Sequence, residues 1–204
     1  MVPAPALVVL LTGPSGSGKS YVARSSGLPV LALDSFYKDG DNPTVPRVRG
    51  VPDWDAPEAW DADRALQAVA RLATERRLDV PRYDIAHDRA VGTHPIDIGS
   101  APAFVAEGIF AWTLVAGCRE RGILADAICL RAHPAVTFYR RLVRDLGERR
   151  KPRTVLVRRG IALYRDEAVT VTEQVTSGTY PCSREDALFR IRLAAHARTS
   201  TPAP

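Results

Sequence analysis

The chain has 204 residues, of which 46% are hydrophobic and 25% are charged, an ordinary composition for a soluble globular protein that predicts one domain spanning residues 1–204. The net charge of +5 suits either a nucleic acid or an anionic nucleotide as a partner. The three cysteines lie far apart without a C-x-x-C pair, which argues against a disulfide framework and predicts a reducing cytoplasm. The first apolar run is too short for a signal peptide or a membrane span, so we expect neither.

The first predicted element is a strand that leads into a phosphate-binding loop. The run "ALVVLL", residues 6–11, is typical of a strand buried on both faces, and "GPSGSGKS", residues 13–20, follows it. In the pattern G-x-x-x-x-G-K-S/T, the glycines let backbone N–H groups point at phosphate oxygens, the lysine reaches the β- and γ-phosphates, and the hydroxyl is offered to Mg²⁺. "KSYVARSSG" then predicts a short helix ending at Gly27, so a nucleoside-triphosphate site is expected. The residues expected to bind the nucleotide are Gly13, Ser15, Gly16, Ser17, Gly18, Lys19, Ser20 and Tyr21.

The middle of the chain predicts a strand, a long loop and a helix. "LPVLALD" is typical of a second strand, ending at Asp34, and residues 38–53 form a Pro/Gly/Asp loop that is too long for a simple connection. "APEAWDADRALQAVARLATERR" predicts a helix in which Asp55 is a candidate N-cap and Pro57 lies in the first turn. The apolar stripe of this helix consists of Leu66, Val69, Ala70 and Ala73.

The remaining elements complete an alternation of strands and helices. That alternation predicts an α/β fold with a mainly parallel sheet, in which ligands bind beyond the carboxyl ends of the strands. Gly13, Asp34 and Glu107 all stand at such ends. The predicted elements are a strand in "RLDVPRYD", a polar excursion or hairpin over 84–98, strands in "APAFVAEG" and "ADAICLRA", a helix from "HPAVTFYRRLVRDLGERR" with Pro134 in its first turn, helical residues 154–168, a capped helix in "SREDALFRIRLAAHA", and a frayed tail over 199–204.

An ordered series of motifs resembles the uridine kinases within the P-loop small-molecule kinases. The series runs "GPSGSGKS", "LDSFYK", "WDAPEAWD", "PRYDIAHDR", "AEGIF" and "RRLVRDLGERR", and it covers residues 7 to about 151. The resemblance implies a P-loop NTPase-type three-layer fold, a lid helix region over roughly 138–153 and an acceptor-binding insertion over roughly 36–98. It also implies ATP and Mg²⁺ as cofactors.

The resemblance assigns the chemistry to a few carboxylates. Asp34 would be the general base that takes the proton from a sugar 5′-hydroxyl, the alternative being an Asp that caps a strand end or a helix start. Asp55 would accept hydrogen bonds from the ribose hydroxyls, although it is also a candidate helix cap. Glu107 would hold Mg²⁺ together with Ser20, because Mg²⁺ takes few protein ligands and keeps several waters.

Two further groups of residues follow from the same resemblance. Tyr37, Tyr83 and His87 match positions that contact the acceptor, with the spacing before His87 one residue shorter than in the family. Arg141, Arg144 and Arg149 match lid arginines that would close over ATP and neutralise the transferring phosphoryl group, with Lys19, Arg141 and Arg144 assisting Asp34 in catalysis. The alternative for these arginines is a solvated basic face, partly offset by Asp145 and Glu148.

The chain departs from the family where the pyrimidine base is recognised. Arg158 and Arg159 stand where the family has a base-reading glutamine, and an arginine donates hydrogen bonds but cannot accept them. The late strand "A-D-x-I-I-P" of the family is missing, and "AVTVTEQVTSG" is a candidate replacement. The phosphotransfer residues therefore match the family, whereas base recognition does not carry over.

Four functions remain open from the sequence. The first is ATP-dependent phosphorylation of a nucleoside, uridine or cytidine, with a homo-oligomer among the possible states. The second keeps the chemistry with another acceptor, such as pantothenate or a sugar phosphate. The third is a nucleic-acid-binding NTPase that uses the nine basic residues within 140–159, although this stretch carries no RNA-binding or helix-turn-helix signature. The fourth is a nucleotide-gated regulatory protein, which would not need Asp34 as a base.

Overall fold

The computed structural model describes residues 4–48, 50–133, 135–137, 139–140, 143 and 170–197. Most of the predicted lid therefore lies outside the described residues, as do Arg141, Arg144, Arg149, Arg158 and Arg159, the helix expected over 154–168 and the tail 199–204. In chain order the named elements are β1 (Leu7–Thr12), α1 (Lys19–Ser25), β2 (Val30–Ala32), β3 (Arg47–Val48), β4 (Val51–Pro52), α2 (Ala62–Glu75), β5 (Arg77–Asp84), β6 (Arg89–Asp97), β7 (Ala103–Glu107), α3 (Val115–Glu120), β8 (Leu124–Leu130), β9 (Tyr180–Cys182) and α4 (Arg184–Ala197).

A five-stranded parallel sheet forms the centre of the described structure, with the strand order β2-β7-β1-β8-β9. β1 is its middle strand, and residues 8–12 of β1 are fully buried. Val8 and Leu10 pack with α2 and α3 on one face of the sheet, whereas Val9 and Leu11 pack with α1 and α4 on the other. Side chains alternate between the two faces of a strand, so a strand covered on both faces is apolar throughout. The predicted α/β fold with helices flanking a parallel sheet is confirmed.

Helix α2 begins later than its sequence pattern predicts. Its N-cap is Asp61, whose Oδ1 accepts a hydrogen bond from the backbone N–H of Arg64 at 3.0 Å. Asp55 precedes a separate 3-10 turn, Pro57–Ala59, so the expectation that Asp55 caps the helix is wrong. The predicted apolar stripe is confirmed: Val69 and Ala73 are fully buried, and Leu66 and Ala70 pack against the same core.

Two small antiparallel pairs stand apart from the central sheet. The strand expected in "RLDVPRYD" is β5, and it pairs with β6, so the hairpin begins at Arg77 rather than lying within 84–98 as expected; β3 pairs with β4 inside the long loop. β2 ends at Ala32 rather than at Asp34, because the chain turns there into the 3-10 helix Leu33–Phe36. This helix, the long loop and the hairpin all lie between β2 and β7 in the sequence.

The last described part of the chain corrects one expectation and confirms another. Residues 170–176, in the stretch expected to replace a strand, are helical, and the edge strand is β9 instead. Ser183 caps α4 as predicted, because its Oγ accepts from the backbone N–H of Asp186 at 3.2 Å and donates to the Asp186 carboxylate at 2.7 Å. No helix within the described ranges is both long and apolar enough to cross a bilayer.

Candidate active site

The candidate site lies where the carboxyl ends of the central strands meet. Glu107, the last residue of β7, pairs with Leu11 of β1 on one side and with Ala32 of β2 on the other. The phosphate loop starts directly after β1, and Asp34 lies two residues after the end of β2. Strand pairing therefore places the loop, Glu107 and Asp34 side by side at one edge of the sheet, as the sequence predicts.

Close packing under the phosphate loop requires glycine at two positions. Gly13 and Gly16 have φ angles of +141° and +87°, a region that residues with a Cβ rarely adopt. A Cβ on Gly13 would lie 2.5 Å from the carbonyl oxygen of Leu130, and a Cβ on Gly16 would lie 2.5 Å from that of Thr137. The loop thus rests directly on the backbone that follows β8.

The side chains of the loop are arranged for an anionic ligand. Lys19 Nζ donates hydrogen bonds to the carbonyl oxygens of Gly13 at 2.8 Å and Pro14 at 3.1 Å, which holds the ammonium group inside the curl of the loop. Ser17 is 2% exposed, and its Oγ is a buried side-chain oxygen for which the described residues provide no hydrogen-bond partner. A hydroxyl donor without an acceptor and a fixed ammonium group are both suited to phosphate oxygens.

Glu107 is a buried carboxylate next to this loop. Its burial raises the pKa of the carboxyl, and the negative charge of Asp34 raises it further. Lys19 opposes this by its positive charge, and a hydrogen bond with the Ser20 side chain also lowers the pKa. Glu107 therefore lies close to Lys19, Ser20 and Asp34. Its pKa is raised overall, because the effect of burial on the pKa is larger than the opposing effect of the lysine charge.

The raised pKa of Glu107 predicts a cost in stability at neutral pH. Below about pH 4.3, the ordinary pKa of a glutamate, Glu107 is protonated in both the folded and the unfolded state, and the cost is absent. As the pH rises, the unfolded state loses its proton first, and the cost reaches its full size once the pH exceeds the raised pKa of the folded state. We therefore expect Glu107→Gln to raise Tm at pH 7, by about 2–4 °C for each kcal/mol relieved, and the gain to shrink as the pH falls toward the ordinary pKa of a glutamate. Thermal unfolding without nucleotide or metal tests this, with the exposed Glu120→Gln as control. An unchanged or lower Tm at pH 7 would contradict it.

Asp34 is exposed at the mouth of the site. It lies in the first turn of the 3-10 helix that follows β2. A Cβ on Gly108 would lie 3.5 Å from Asp34 Oδ1, an ordinary van der Waals distance, but only 2.9 Å from Leu33 Cβ, so Gly108 packs closely against the turn that carries Asp34. Gly108 directly follows Glu107, and the two carboxylates are neighbours with different environments, one buried and one open to solvent.

A cluster of four aromatic rings lies on the Asp34 side of the site. Tyr37 is central, with ring centroids 5.8 Å from Trp54, 5.9 Å from Tyr83 and 6.1 Å from Phe110. Tyr83 donates a hydrogen bond to the carbonyl oxygen of Lys38 at 3.1 Å, and burial together with Asp88 and Asp39 raises the pKa of its phenol. The structure thus brings together the predicted Tyr37 and Tyr83. Trp54 was not predicted, although an aromatic residue directly before Asp55 was the signal for it.

Two other predicted acceptor residues lie at the periphery of the cluster. His87 is in the β5–β6 turn with 71% of its side chain exposed, and its Nδ1 is 2.8 Å from the Asp84 carboxylate. This contact lowers the pKa of Asp84. Asp55 is half-buried beside Trp54, and its backbone N–H donates to Asp53 Oδ1 at 3.2 Å.

The chain matches the model of the Phosphoribulokinase / Uridine kinase family over residues 8–167. It is 32% identical over 154 residues to the uridine kinase of Leuconostoc citreum (strain KM20), covering 70% of each chain. It is 34% identical over 148 residues to the uridine kinase of Schizosaccharomyces pombe (strain 972 / ATCC 24843), covering 68% of this chain and 32% of that one. The crystal structure of a putative fructose transport system kinase from Silicibacter sp. TM1040 shares the fold, with a TM-score of 0.60 at 22% identity, and the match covers 84% of this chain and 86% of that one.

These matches identify the class of protein. The fold and the phosphate loop define a P-loop kinase that acts on a small molecule with ATP as the phosphoryl donor. The chain belongs to the Phosphoribulokinase / Uridine kinase family.

Proposed function

We propose that the protein transfers the γ-phosphoryl group of ATP to the 5′-hydroxyl of a nucleoside, uridine or cytidine. The observation that carries this proposal is the position of Asp34, an exposed carboxylate whose charge acts on Glu107 and which lies three residues before Tyr37 of the aromatic cluster. A hydroxyl acceptor needs a base at that place, and a nucleoside needs flat apolar surface for its base beside it. A nucleotide-gated regulatory protein without transferase activity would not need a carboxylate at the position of Asp34.

Ser20 and Glu107 fit a magnesium site. Both present oxygen atoms, which are the ligands that Mg²⁺ prefers, and the Ser20 side chain hydrogen-bonds to Glu107. Mg²⁺ would neutralise charge on the β- and γ-phosphates when bound. The burial of Glu107 keeps this carboxylate poorly solvated and therefore suited to a cation.

In the proposed transfer step, one residue accepts a proton and others neutralise the charge of the phosphates. Asp34 accepts the proton of the 5′-hydroxyl as that oxygen forms its bond to the γ-phosphorus, and the bond from the γ-phosphorus to the bridging oxygen breaks to release ADP. Lys19 neutralises charge at the β- and γ-phosphates from within the loop. Arg141, Arg144 and Arg149, which lie outside the described residues, are proposed to cover the phosphates in the closed state.

The acceptor side is proposed to consist of Tyr37, Tyr83 and His87 around the nucleobase and Asp55 at the ribose. Tyr37 and Tyr83 are half-buried within one cluster that also contains Trp54. A carboxylate accepts from two vicinal hydroxyls at once, which suits Asp55 to a ribose. The exposed His87 would need to move toward the cluster to reach a bound base.

The ribose role of Asp55 is separable from helix capping. We expect Asp55→Ala to raise the acceptor KM by about tenfold or more, because loss of a hydrogen bond to a charged group costs about 1.5–3 kcal/mol. Asp61→Ala, the matched control, should lower stability by about 0.5–2 kcal/mol as a lost N-cap and leave the acceptor KM unchanged. Steady-state kinetics and thermal unfolding of both variants measure this. An unchanged acceptor KM in Asp55→Ala would remove the residue from the acceptor site.

A panel of acceptors tests the proposed function directly. ADP release is followed with ATP and Mg²⁺ in the presence of uridine, cytidine, purine nucleosides, pantothenate or sugar phosphates. Stimulation by uridine or cytidine supports the proposal. Activity with a sugar phosphate alone would favour the second candidate, an anionic acceptor, for which Arg158 and Arg159 in place of the family's glutamine are the supporting observation.

A further inference from the structure

Arg184 forms a contact with the phosphate loop that the sequence does not predict. It is the first residue of α4, and its guanidinium carbon lies 4.9 Å from the centroid of the Tyr21 ring. Tyr21 directly follows Ser20, the last residue of the loop motif. A guanidinium group over an aromatic face is a favourable cation–π arrangement, so the ring holds Arg184 beside the loop.

A second arginine approaches the same position from a different part of the chain. The point where a Cβ of Gly18 would lie is 3.6 Å from Arg184 Nη2 and 3.7 Å from Arg140 Nη1. Two positively charged guanidinium groups that lie near the same point repel one another. An anion bound between them is attracted by both charges and offsets this repulsion. Guanidinium groups also donate two parallel hydrogen bonds to phosphate oxygens.

The order of the strands decides which part of a nucleotide would reach these arginines. Asp34 follows β2, at one end of the strand order, whereas Arg184 follows β9, at the opposite end, with β1 and its loop between them. The γ-phosphoryl group that is transferred must face Asp34. The rest of the nucleotide, starting with the α-phosphate, therefore extends toward Tyr21 and Arg184.

We propose that Arg184 is a nucleotide-binding residue that contacts the α-phosphate of ATP, with Tyr21 as its support and Arg140 as a second ligand of the same phosphate. The inference rests on the use of ATP by the family and is independent of the acceptor's identity. Helix α4 would then contribute a residue to ATP binding. Tyr21 would contribute indirectly, because its ring positions the guanidinium group of Arg184.

Equilibrium binding without any acceptor tests this inference separately from the proposed function. We expect Arg184→Gln to weaken the binding of both Mg–ATP and Mg–ADP about tenfold or more in calorimetry, because hydrogen bonds to charged groups contribute about 1.5–3 kcal/mol. Arg192→Gln, an exposed arginine of the same helix, is the matched control and should bind both nucleotides as the wild type does. Wild-type affinity in Arg184→Gln would overturn the proposal.

Two further measurements distinguish a phosphate contact from other roles. A phosphate contact is common to ATP and GTP, so Arg184→Gln should leave the ratio of their affinities unchanged, and a changed ratio would overturn the assignment to the phosphate. Tyr21→Leu should also weaken nucleotide binding, and combining it with Arg184→Gln should add little, since the ring acts through the arginine. Full additivity of the two changes would overturn the supporting role of Tyr21.

Discussion

The Asp34→Asn variant is expected to lose about 10²- to 10⁴-fold in kcat, the usual contribution of a general base, while its affinity for Mg–ATP changes little. Asparagine preserves the size of the side chain and one acceptor oxygen, but it replaces the other oxygen by an NH₂ donor and cannot take up the proton of the acceptor hydroxyl. Asp34 is exposed and follows β2, and in the variant Lys19 Nζ keeps its hydrogen bonds to the carbonyl oxygens of Gly13 and Pro14, so we expect nucleotide binding to change little. Steady-state turnover and calorimetric ATP binding measure the two effects.

The Asp34 experiment has an internal check and a matched control. The charge of Asp34 raises the pKa of Glu107, so its removal should lower that pKa and shift any Glu107-linked pH dependence of Tm toward lower pH. Asp63→Asn, at an exposed acidic residue in the first turn of α2, should leave turnover unchanged. Turnover within threefold of wild type in Asp34→Asn would refute its assignment as the base, and a matching loss in Asp63→Asn would point to a nonspecific charge effect.

Gly16→Ala is expected to unfold the loop region and to abolish measurable ATP binding. Two penalties combine: a positive φ angle, which costs a non-glycine residue about 1–2 kcal/mol, and a contact of 2.5 Å between the new Cβ and the carbonyl oxygen of Thr137. Thr137 is buried, so its backbone cannot retreat without disturbing its own packing. Thermal unfolding and nucleotide titration should both show the loss.

Gly27 supplies the control for the glycine experiment. It has a φ angle of +79°, and no atom lies within 4 Å of its hypothetical Cβ. Gly27→Ala therefore carries the backbone penalty alone, and its free energy of unfolding should fall by about 1–2 kcal/mol with ATP binding retained. If Gly16→Ala is no less stable than Gly27→Ala and binds ATP normally, then the close packing under the loop is not a requirement for its function.

The sequence predicts those parts of the fold in which local patterns and tertiary packing agree. β1 and most of β7 are continuous apolar runs because both faces of the sheet are covered, and such runs are recognisable without a structure. β8 is interrupted by Asp126, which pairs with Arg190 of α4. The start of α2 is predicted too early because Asp55 and Asp61 are equally good N-caps when only the local sequence is considered. The chain between them is separated from α2 by a β-bridge between Tyr37 and Trp60, and the sequence does not reveal such a long-range contact. The helical residues 170–176 were missed for a similar reason, since threonine and valine favour strands locally but Gln174 is buried in contact with Cys129.

The candidate site shows the same division between local and long-range information. The loop, Asp34 and Glu107 were found because a motif or a strand end marks each of them. Arg184 was not found, since it lies more than 160 residues after Tyr21 and nothing in "SRED" distinguishes it from a helix start. The electrostatic environment of Glu107 likewise depends on burial, which the residue's own sequence neighbours do not reveal.

β2 and β7 are adjacent in the sheet, with Ala32 opposite Glu107, yet the 3-10 helix, the long loop, α2 and the β5–β6 hairpin all lie between them in the sequence. The aromatic cluster is carried mainly by the loop and the hairpin, whose strands pair with each other rather than with the central sheet. Under the proposed function, a change of acceptor would involve this stretch together with the region of Arg158 and Arg159, where the family has a base-reading glutamine. The strands β7-β1-β8-β9 carry the phosphate loop and Arg184, so the donor side can stay the same while the acceptor side varies.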